Sequence, residues 1–470
     1  MSYEMVVGLE THIELSTQSK IFCGCAVNFG GDPNTNCCPV CVGLPGALPR
    51  LNRQVVRYGV MAGLATNCTV NPVSYLDRKN YVYPDLPKAY QISQYDTPLC
   101  ENGYLELSGG KKVRIARIHI EEDAGKLVYD GDKLYVDYNR SGVPLIEIVT
   151  QPDFRSADQV KEYLEKLQML MRYIGISDCK MQEGSLRCDV NISVRKSGET
   201  AMGIRTEIKN MNSFRFITRA LAYETQRQIA CLSNGQAVVR ETRRYNEQTG
   251  ETQSMRGKEE AQDYRFFREP DLPAVLVSPE EVEQLRDAMP ELPDARVQRY
   301  CKDYGLAVED ACLLAKYRKL SDYFEQAAQG LKAPKTIANF ILGPIFRSLT
   351  TEEQKEAGAP SISSQDLHEL AAWVEEGKLQ IGLAKTTLEQ MLKTGKSLSV
   401  LLPAEQLGMM DEKELAALCR RAVEENPKAA TDVKNGKEKA MGTLVGAVMR
   451  FSRGKADAQQ VNHMLHDLLC

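Results

Sequence analysis

The sequence lacks several features that would assign it to a class at once. It has no G-x-x-x-x-G-K-[ST] motif and no G-x-G-x-x-G motif, which excludes a P-loop and a dinucleotide-binding fingerprint. No apolar run reaches the ~18 residues that a transmembrane helix needs. The N-terminal segment MSYEMVVGLE has no cationic stretch ahead of an apolar one, so it does not read as a secretory signal. We therefore expect a cytoplasmic protein with no membrane contact.

An excess of positive charge is also missing. Lys and Arg total 59 against 63 Asp and Glu, a net charge of −4, which excludes a chain that is basic throughout. One local stretch near the C-terminus is basic, and it offers a candidate contact with an RNA backbone. The alternative is a solvated face. Its cations include Lys437, Lys439, Arg450, Arg453 and Lys455.

The 470 residues leave room for about three domains. The chain is rich in β-branched residues and turns up to about residue 275, and in Ala, Leu, Glu and Lys after residue 323. We predict an α+β protein in three parts. Residues 1–292 form a largely antiparallel sheet domain with covering helices, 293–405 a helical domain, and 406–470 a small all-α tail.

Alternation of apolar and polar residues predicts the strands of the first part. Residues 7–15 place Glu10 and His12 on the face opposite the apolar side chains, and residues 186–195 do the same for Arg187 and Asp189. Residues 204–209 repeat the pattern with Glu207. Helical spacing predicts helices over 158–174, 366–376, 411–425 and 437–450.

Cysteines are concentrated near the N-terminus. Of 14 in the chain, five lie within 19 residues: Cys23, Cys25, Cys37, Cys38 and Cys41. In a reducing compartment, two close thiol pairs joined by a Gly- and Asn-rich loop are typical of a tetrahedral zinc site. Cys23, Cys25, Cys38 and Cys41 are the candidate ligands. The alternatives are small buried side chains, or a zinc-knuckle shape without metal.

A second constellation combines carboxylates with imidazole. Only two histidines, His12 and His119, occur in the first 300 residues, and each has acidic neighbours. Hard oxygens with one or two imidazoles suit Mg²⁺ or Mn²⁺. A solvated sheet face held by ion pairs is the alternative on pattern alone. The candidate acids are Glu10, Glu121, Glu122, Asp123, Asp189 and Glu207.

Longer motifs carry a family resemblance over essentially the whole chain. They are residues 9–15 (LETHIEL), 38–46 (CPVCVGLPG), 76–81 (LDRKNY), 84–88 (PDLPK), 121–126 (EEDAGK), 183–189 (EGSLRCD), 209–214 (KNMNSF) and, in the tail, 436–442 (GKEKAMG). These segments resemble the GatB family, which supplies one of the subunits of the glutamine-dependent aspartyl/glutamyl-tRNA amidotransferase. One departure is Ala89, where the family usually has Gly, so a turn with positive φ would be strained there.

The resemblance implies a ligase subunit that phosphorylates the side-chain carboxylate of Glu-tRNA(Gln) or Asp-tRNA(Asn) with ATP. Ammonia from a glutaminase partner, GatA, then gives the amide, and GatC completes a heterotrimer. It also implies a cradle-shaped first domain, a structural zinc and a YqeY-like tRNA-binding tail. A non-catalytic tRNA-binding adaptor is the alternative. The implied Mg²⁺ residues are Glu10, His12, Glu122, Asp189 and Glu207, and Lys79, Arg140 and Arg187 are candidates for holding phosphate or the tRNA end.

Overall fold

A computed structural model describes residues 2–28, 30–257, 263–358, 360–402, 412–435, 437–452 and 455–469. The chain divides into two compact units, Met1–Leu292 and Pro293–Cys470. Among the described helices, none is long and apolar enough to cross a membrane.

The first unit is built on a nine-stranded sheet with the order β14-β13-β12-β11-β1-β10-β7-β6-β2. Its pairings are antiparallel except that between β12 and β13. The strands are β1 Tyr3–Glu14, β2 Thr69–Val70, β3 Val73–Ser74, β4 Asp77–Asn80, β5 Tyr90–Ser93, β6 Cys100–Glu106, β7 Lys112–Glu122, β8 Lys126–Asp130, β9 Lys133–Asp137, β10 Pro144–Thr150, β11 Leu186–Lys196, β12 Thr206–Lys209, β13 Glu241–Asn246, β14 Glu251–Gly257, β15 Phe267–Arg268 and β16 Val275–Leu276.

Four helices belong to this unit: α1 Arg53–Ala65, α2 Ala157–Tyr173, α3 Phe214–Ser233 and α4 Pro279–Ala288. Side chains such as Val60 of α1, Leu164 of α2 and Leu221 of α3 share one apolar core with Leu9 and Ile13 of β1. The predicted helix 158–174 is α2, which begins where the Ser156 hydroxyl accepts from Gln159 N–H. The prediction of a mostly antiparallel sheet with helices on its apolar face is therefore confirmed.

The apolar residues of β1 and β11 face the core, as predicted. Val7, Leu9 and Ile13 of β1 are buried, and so are Val190 and Ile192 of β11. The strand predicted over 204–209 is shorter than expected and starts at Thr206. Ile204 is exposed, and only Thr206, Glu207 and Ile208 have partners on β11. Ile204 fits the alternation of apolar and polar residues in the sequence. Its side chain is not buried, however, so the strand does not extend to it.

The second unit is helical, in agreement with the composition of the sequence. Its helices are α5 Pro293–Asp303, α6 Val308–Ala315, α7 Arg318–Ala328, α8 Pro334–Phe340, α9 Phe346–Ser348, α10 Glu352–Ala357, α11 Ser364–Glu375, α12 Ile381–Thr394, α13 Leu398–Leu401, α14 Glu412–Glu425, α15 Pro427–Lys434, α16 Met441–Phe451 and α17 Ala458–Leu469, with a π-helical turn at Ile341–Ile345.

The unit contains two apolar clusters, one drawn from residues 300–402 and one from residues 415–469. Helices α11, α14 and α16 lie where helical spacing predicts them, although α16 starts after a 3-10 turn at Glu438–Ala440. The boundary predicted at 405/406 falls outside the described residues. The division into three domains, the cradle and the YqeY-like tail stay predictions.

Candidate functional site

Three neighbouring strands place carboxylates together on the polar face of the sheet. Glu10 of β1 lies opposite Asp189 of β11, and Asn191 of β11 lies opposite Glu207 of β12. One oxygen from each of Glu10, Asp189 and Glu207 lies within 4.8 Å of the others. We call these three residues the β11 group. The register of the antiparallel strands thus assembles a set of hard oxygen donors from distant parts of the chain.

Polar side chains contact the carboxylates of the β11 group. Lys209 Nζ lies 2.7 Å from Asp189 Oδ2 and 3.1 Å from Glu207 Oε1, and Asn191 Nδ2 donates to Glu10 Oε1 at 2.9 Å. Burial, together with the Glu147 carboxylate, raises the pKa of Glu10 above its ordinary value. Lys209 thus contacts two of the three carboxylates, and three carboxylates this close together suit a divalent cation.

A second set lies on the next strands of the same sheet. His12 of β1 faces Glu147 of β10, and Glu147 in turn lies opposite His119 of β7. His12 Nε2 is 3.5 Å from Glu147 Oε2 and 3.6 Å from Glu121 Oε1, and His119 Nε2 is 3.2 Å from Glu147 Oε2. We call His12, Glu121 and Glu147, with one ligand atom each within 4.8 Å of the others, the β10 group.

Glu121 of the β10 group and the adjacent His119 are each 3% exposed, whereas the side chains of Glu147 and His12 are 13% and 22% exposed. Burial alone would lower the pKa of His119, but the Glu147 and Glu121 carboxylates outweigh it and raise that pKa to about 9. Burial opposes ionisation of Glu147, but His119 and His12 outweigh it and hold its pKa well below the ordinary value. The neighbouring imidazoles thus favour the ionised form of Glu147, which is the form that binds a metal.

The predicted ligand Glu122 is in neither group. Adjacent strand residues point to opposite faces, and Glu122 accepts from Lys88 Nζ at 2.6 Å and from Ile92 N–H at 2.8 Å. The structure therefore brings Glu10, Asp189 and Glu207 together, puts His12 with Glu121 and Glu147, and leaves Glu122 with Lys88.

Of the three cations predicted to hold phosphate or the tRNA end, Arg140 and Arg187 lie together and Lys79 lies elsewhere. Arg187 Nη2 and Arg140 Nε lie 2.7 Å and 3.3 Å from Asp123 Oδ2, so the two guanidinium groups converge on one carboxylate. Lys79 Nζ instead lies over the rings of Tyr81 and Tyr264, 5.5 Å and 4.9 Å from their centroids. Both arginines are more than a third exposed, and Arg140 also donates to the carbonyl oxygens of Ala124 and Gly125 at 3.0 and 2.9 Å.

The four predicted zinc ligands do come together. One sulfur from each of Cys23, Cys25, Cys38 and Cys41 lies within 4.8 Å of the others, and Cys41 Sγ is 3.4 Å from Cys23 Sγ and 3.7 Å from Cys38 Sγ. A zinc ion with Zn–S bonds of ~2.3 Å in tetrahedral geometry needs S···S distances of about 3.8 Å. The donor set therefore fits zinc.

The thiol chemistry is also suitable. A hydrogen bond from Cys23, assisted by the Cys38 backbone and the Lys20 ammonium, lowers the pKa of Cys41 to about 4. The thiolate is the form that binds metal. Cys37 is separate, with its sulfur 3.7 Å from Asn139 Oδ1, as expected for a residue outside the ligand pattern.

Sequence reasoning missed Glu147 and left His119 and Lys209 out of the site. A signal for Glu147 was present, because it is the only charged residue within the apolar strand Pro144–Thr150. A single acid there is expensive to bury unless it has partners. Placing His119 and Lys209 in the site requires the register of the strands. The spacing of residues along the chain does not give that register.

A cavity of about 250 Å³ opens beside the β11 group. Its walls include Glu10, Asn191, Met202, Gly203 and Arg205. Its lining therefore combines apolar and polar side chains, as small-molecule sites do.

The predicted cations of the tail are surface residues. Lys437, Lys439 and Arg450 are exposed, Lys455 is half-buried, and Arg453 lies outside the described residues. Lys437 Nζ is 2.9 Å from Asp432 Oδ1, so part of its charge is already paired.

The sheet with its two ligand groups is a catalytic domain of known class: residues 5–283 match the family model described as the GatB/GatE catalytic domain. Residues 322–469 match a second model, described as a GatB domain. The chain belongs to the GatB family.

Relatives of the same length support this assignment. The chain is 50% identical over 474 residues to a protein of Caldanaerobacter subterraneus subsp. tengcongensis that is named as the B subunit of aspartyl/glutamyl-tRNA(Asn/Gln) amidotransferase, with 100% of both chains covered. It has the same identity and coverage with the protein of that name from Thermoanaerobacter sp. strain X514.

Proposed function

We propose that this chain is the GatB component of a tRNA-dependent amidotransferase, a ligase. It phosphorylates the side-chain carboxylate of Glu-tRNA(Gln) or Asp-tRNA(Asn) with ATP. An oxygen of that carboxylate attacks the γ-phosphorus and ADP leaves. Ammonia then attacks the acyl carbon, and inorganic phosphate leaves as the amide forms. The observation that carries this proposal is the pair of ligand groups on one polar sheet face within a GatB/GatE catalytic domain.

Transfer of a phosphoryl group needs mainly positioning and charge neutralisation. The β11 and β10 groups supply the oxygen and imidazole donors that hold Mg²⁺ or Mn²⁺. A divalent cation there would neutralise phosphate oxygens. Glu122, predicted as a ligand, acts in this proposal through Lys88 and the strand that carries Ile92. Lys209 supplies a movable positive charge beside the β11 group.

Arg140 and Arg187 suit the anionic end of the substrates. They share Asp123 and are more than a third exposed, so phosphate or the terminal tRNA ribose-phosphate would add a second anion to the pair. Lys79 contacts the rings of Tyr81 and Tyr264. In this proposal its ammonium adds positive charge to the site without a specific phosphate contact. The nucleoside of ATP is assigned to the cavity beside Glu10, where Met202 gives an apolar contact and Arg205 a cation.

Zinc at Cys23, Cys25, Cys38 and Cys41 has a structural role in this proposal. All four positions are filled by protein sulfur, whereas a catalytic zinc keeps one position open.

Ammonia comes from a partner. The sequence carries no motif for a hydrolytic nucleophile, so a glutaminase subunit, GatA, and the small subunit GatC complete a heterotrimer.

The basic surface of the tail is assigned to the tRNA backbone. If so, Lys439→Glu with Arg450→Glu should weaken tRNA binding and reduce its salt dependence. Unchanged affinity would remove the tail from the tRNA site.

The deciding experiment is co-expression with the partner subunits, purification, and assay of each mischarged tRNA with glutamine and ATP. Amide formation coupled to ADP release supports the proposal. Tight tRNA binding with neither amide nor ADP would favour the adaptor alternative. Comparison of Glu-tRNA(Gln) with Asp-tRNA(Asn) in the same assay defines the substrate range.

A further inference from the structure

Residues 23–41, which contain the five clustered cysteines, are called the cysteine loop here. Lys20 is a buried lysine just before this loop. Its side chain is 0% exposed. Nζ donates to the carbonyl oxygens of Asn36 and Tyr138 at 3.0 and 3.3 Å, and to Cys41 Sγ at 3.4 Å. Within the part of the chain that the structure describes, no carboxylate forms an ion pair with this ammonium. A lysine is almost never fully buried without a charged partner.

The cysteine sulfurs are the remaining source of negative charge. Two carbonyl dipoles do not replace the hydration of an ammonium, so a buried one needs an anion nearby. Four thiolates around a divalent cation retain net negative charge. Lys20 touches this centre through Cys41, which places the cation and the anionic sulfur in direct hydrogen-bonding contact.

The same ammonium reaches the backbone that leads to the sheet face. Tyr138 lies in residues 137–142, where Ser141 Oγ donates to the Cys41 carbonyl at 3.1 Å. Ile21 N–H donates to the Gly142 carbonyl at 2.9 Å. Arg140, in this segment, pairs with Asp123. Lys20 thus stands at the junction between the sulfur centre and the segment that presents Arg140.

We infer that Lys20 is a positioning residue: its ammonium compensates the charge of the four-sulfur centre and fastens that centre to the segment that presents Arg140. This inference rests on the zinc site of the proposed function. Loss of the ammonium would leave the thiolates with uncompensated charge and Cys41 without its hydrogen bond. The metal would then be held less firmly.

Zinc retention tests the inference in the full chain with its partner subunits. The nearly isosteric Lys20→Met should release zinc to a chromogenic chelator at least about tenfold faster than the unsubstituted complex, in the range seen when outer partners of a metal site are removed. Lys20→Arg, which keeps the charge, should restore much of the difference. Lys111→Met is the matched control, because its ammonium donates instead to Gln159 Oε1.

Cobalt substitution gives a readout that general destabilisation does not move. In Co²⁺-loaded complex, loss of the N–H···S hydrogen bond makes the Cys41 sulfur a better electron donor. The sulfur-to-cobalt charge-transfer band should therefore shift to longer wavelength in Lys20→Met and return in Lys20→Arg. Wild-type release rates with an unshifted band in Lys20→Met would overturn the inference.

If Lys20→Met does not fold, a second pair of variants still tests the inference. Cys25→Ser and Cys41→Ser each remove one zinc ligand, but only Cys41→Ser also takes the sulfur from Lys20. Cys41→Ser should melt several degrees lower than Cys25→Ser, and equal melting temperatures would overturn the inference. An unsubstituted complex that contains no zinc overturns both this inference and the zinc proposal. A normal zinc content with unaffected Lys20 variants overturns the inference alone.

Discussion

Glu10 and Asp189 lie directly opposite each other on adjacent antiparallel strands, β1 and β11. Like charges in this position destabilise a sheet. The pair is tolerated with help from Lys209 and Asn191, which contact one carboxylate each. The register therefore places two acids opposite each other with a third beside them, and the proposed divalent cation would offset their repulsion.

The first prediction concerns Asp189. Asp189→Asn keeps the shape and one hydrogen-bond acceptor but removes the charge, so Mn²⁺ affinity and ATP-dependent amidation should fall by at least about 100-fold, the upper end of what loss of an outer partner alone costs. Calorimetric metal titration and the amidation assay measure this. Asp130→Asn, the same exchange on an exposed strand, should leave both unchanged. Full amidation by Asp189→Asn would contradict the metal assignment.

Neighbouring carboxylates on β7 should respond differently. Glu121→Gln should lower Mn²⁺ affinity, because it removes a charged oxygen from the β10 group. Glu122→Gln should leave that affinity nearly unchanged but lower the free energy of unfolding by about 2 kcal/mol, since a charged hydrogen bond to the half-buried Lys88 is lost. Each variant is the control for the other. If Glu122→Gln loses metal instead, Glu122 returns to the ligand set.

The cysteine loop should contain about one zinc per chain, held by four sulfurs. Cys25→Ser should lose it, and Cys37→Ser should retain it, although the two residues lie on the same loop. Metal analysis of the purified proteins makes the comparison. Retention of zinc by Cys25→Ser would show that the sulfur set is misassigned.

Glu14 should impose a pH dependence on stability. Burial and the nearby Asp123 raise the pKa of Glu14 to about 7 from 4.5, with Arg187 offsetting part of the effect. The folded chain then binds a proton more strongly than the unfolded chain between these values, so stability falls as pH rises through the window. The difference corresponds to about 3 kcal/mol at most, and coupling to Asp123 reduces what one substitution recovers.

Glu14→Gln should therefore gain stability relative to the unsubstituted chain at pH 8, with little difference at pH 4.5. Chemical denaturation at both pH values measures the change. Glu106→Gln, at an exposed position, should leave the pH profile as it is. Parallel profiles for Glu14→Gln and the unsubstituted chain would contradict the raised pKa.

Ala89 lies in the left-handed region with φ of 60°, as the departure from the family's usual Gly predicts. An L-residue there costs about 1 kcal/mol relative to Gly, and the Ala89 methyl is exposed, so Ala89→Gly should stabilise the chain by about that amount. Ala222→Gly, at an exposed position in the middle of α3, should destabilise it by about 1 kcal/mol. Thermal melting of both variants tests the opposite signs, and a loss of stability in Ala89→Gly would refute the strain.

Local pattern was sufficient for part of the site. Alternation along β1 and β11 put Glu10, His12 and Asp189 on the polar face, and the spacing of Cys23 to Cys41 predicted the sulfur group. Pattern could not show that Glu121 and not Glu122 faces His12, because both are acids in one run and only strand register selects the face. It could not place Lys209 between two carboxylates either, since that contact depends on how β12 pairs with β11.

The position of β1 in the sheet has a consequence for synthesis of the chain. It lies between β10 and β11, yet roughly 170 residues separate its end from the start of β11. At ~5–20 residues per second on the ribosome, about 9–34 s pass before synthesis of β11 begins, and one edge of β1 has no partner strand until then. β1 is thus translated long before the strand that completes its hydrogen bonding. Glu10 therefore acquires its cross-strand neighbour Asp189 only when β11 has been synthesised.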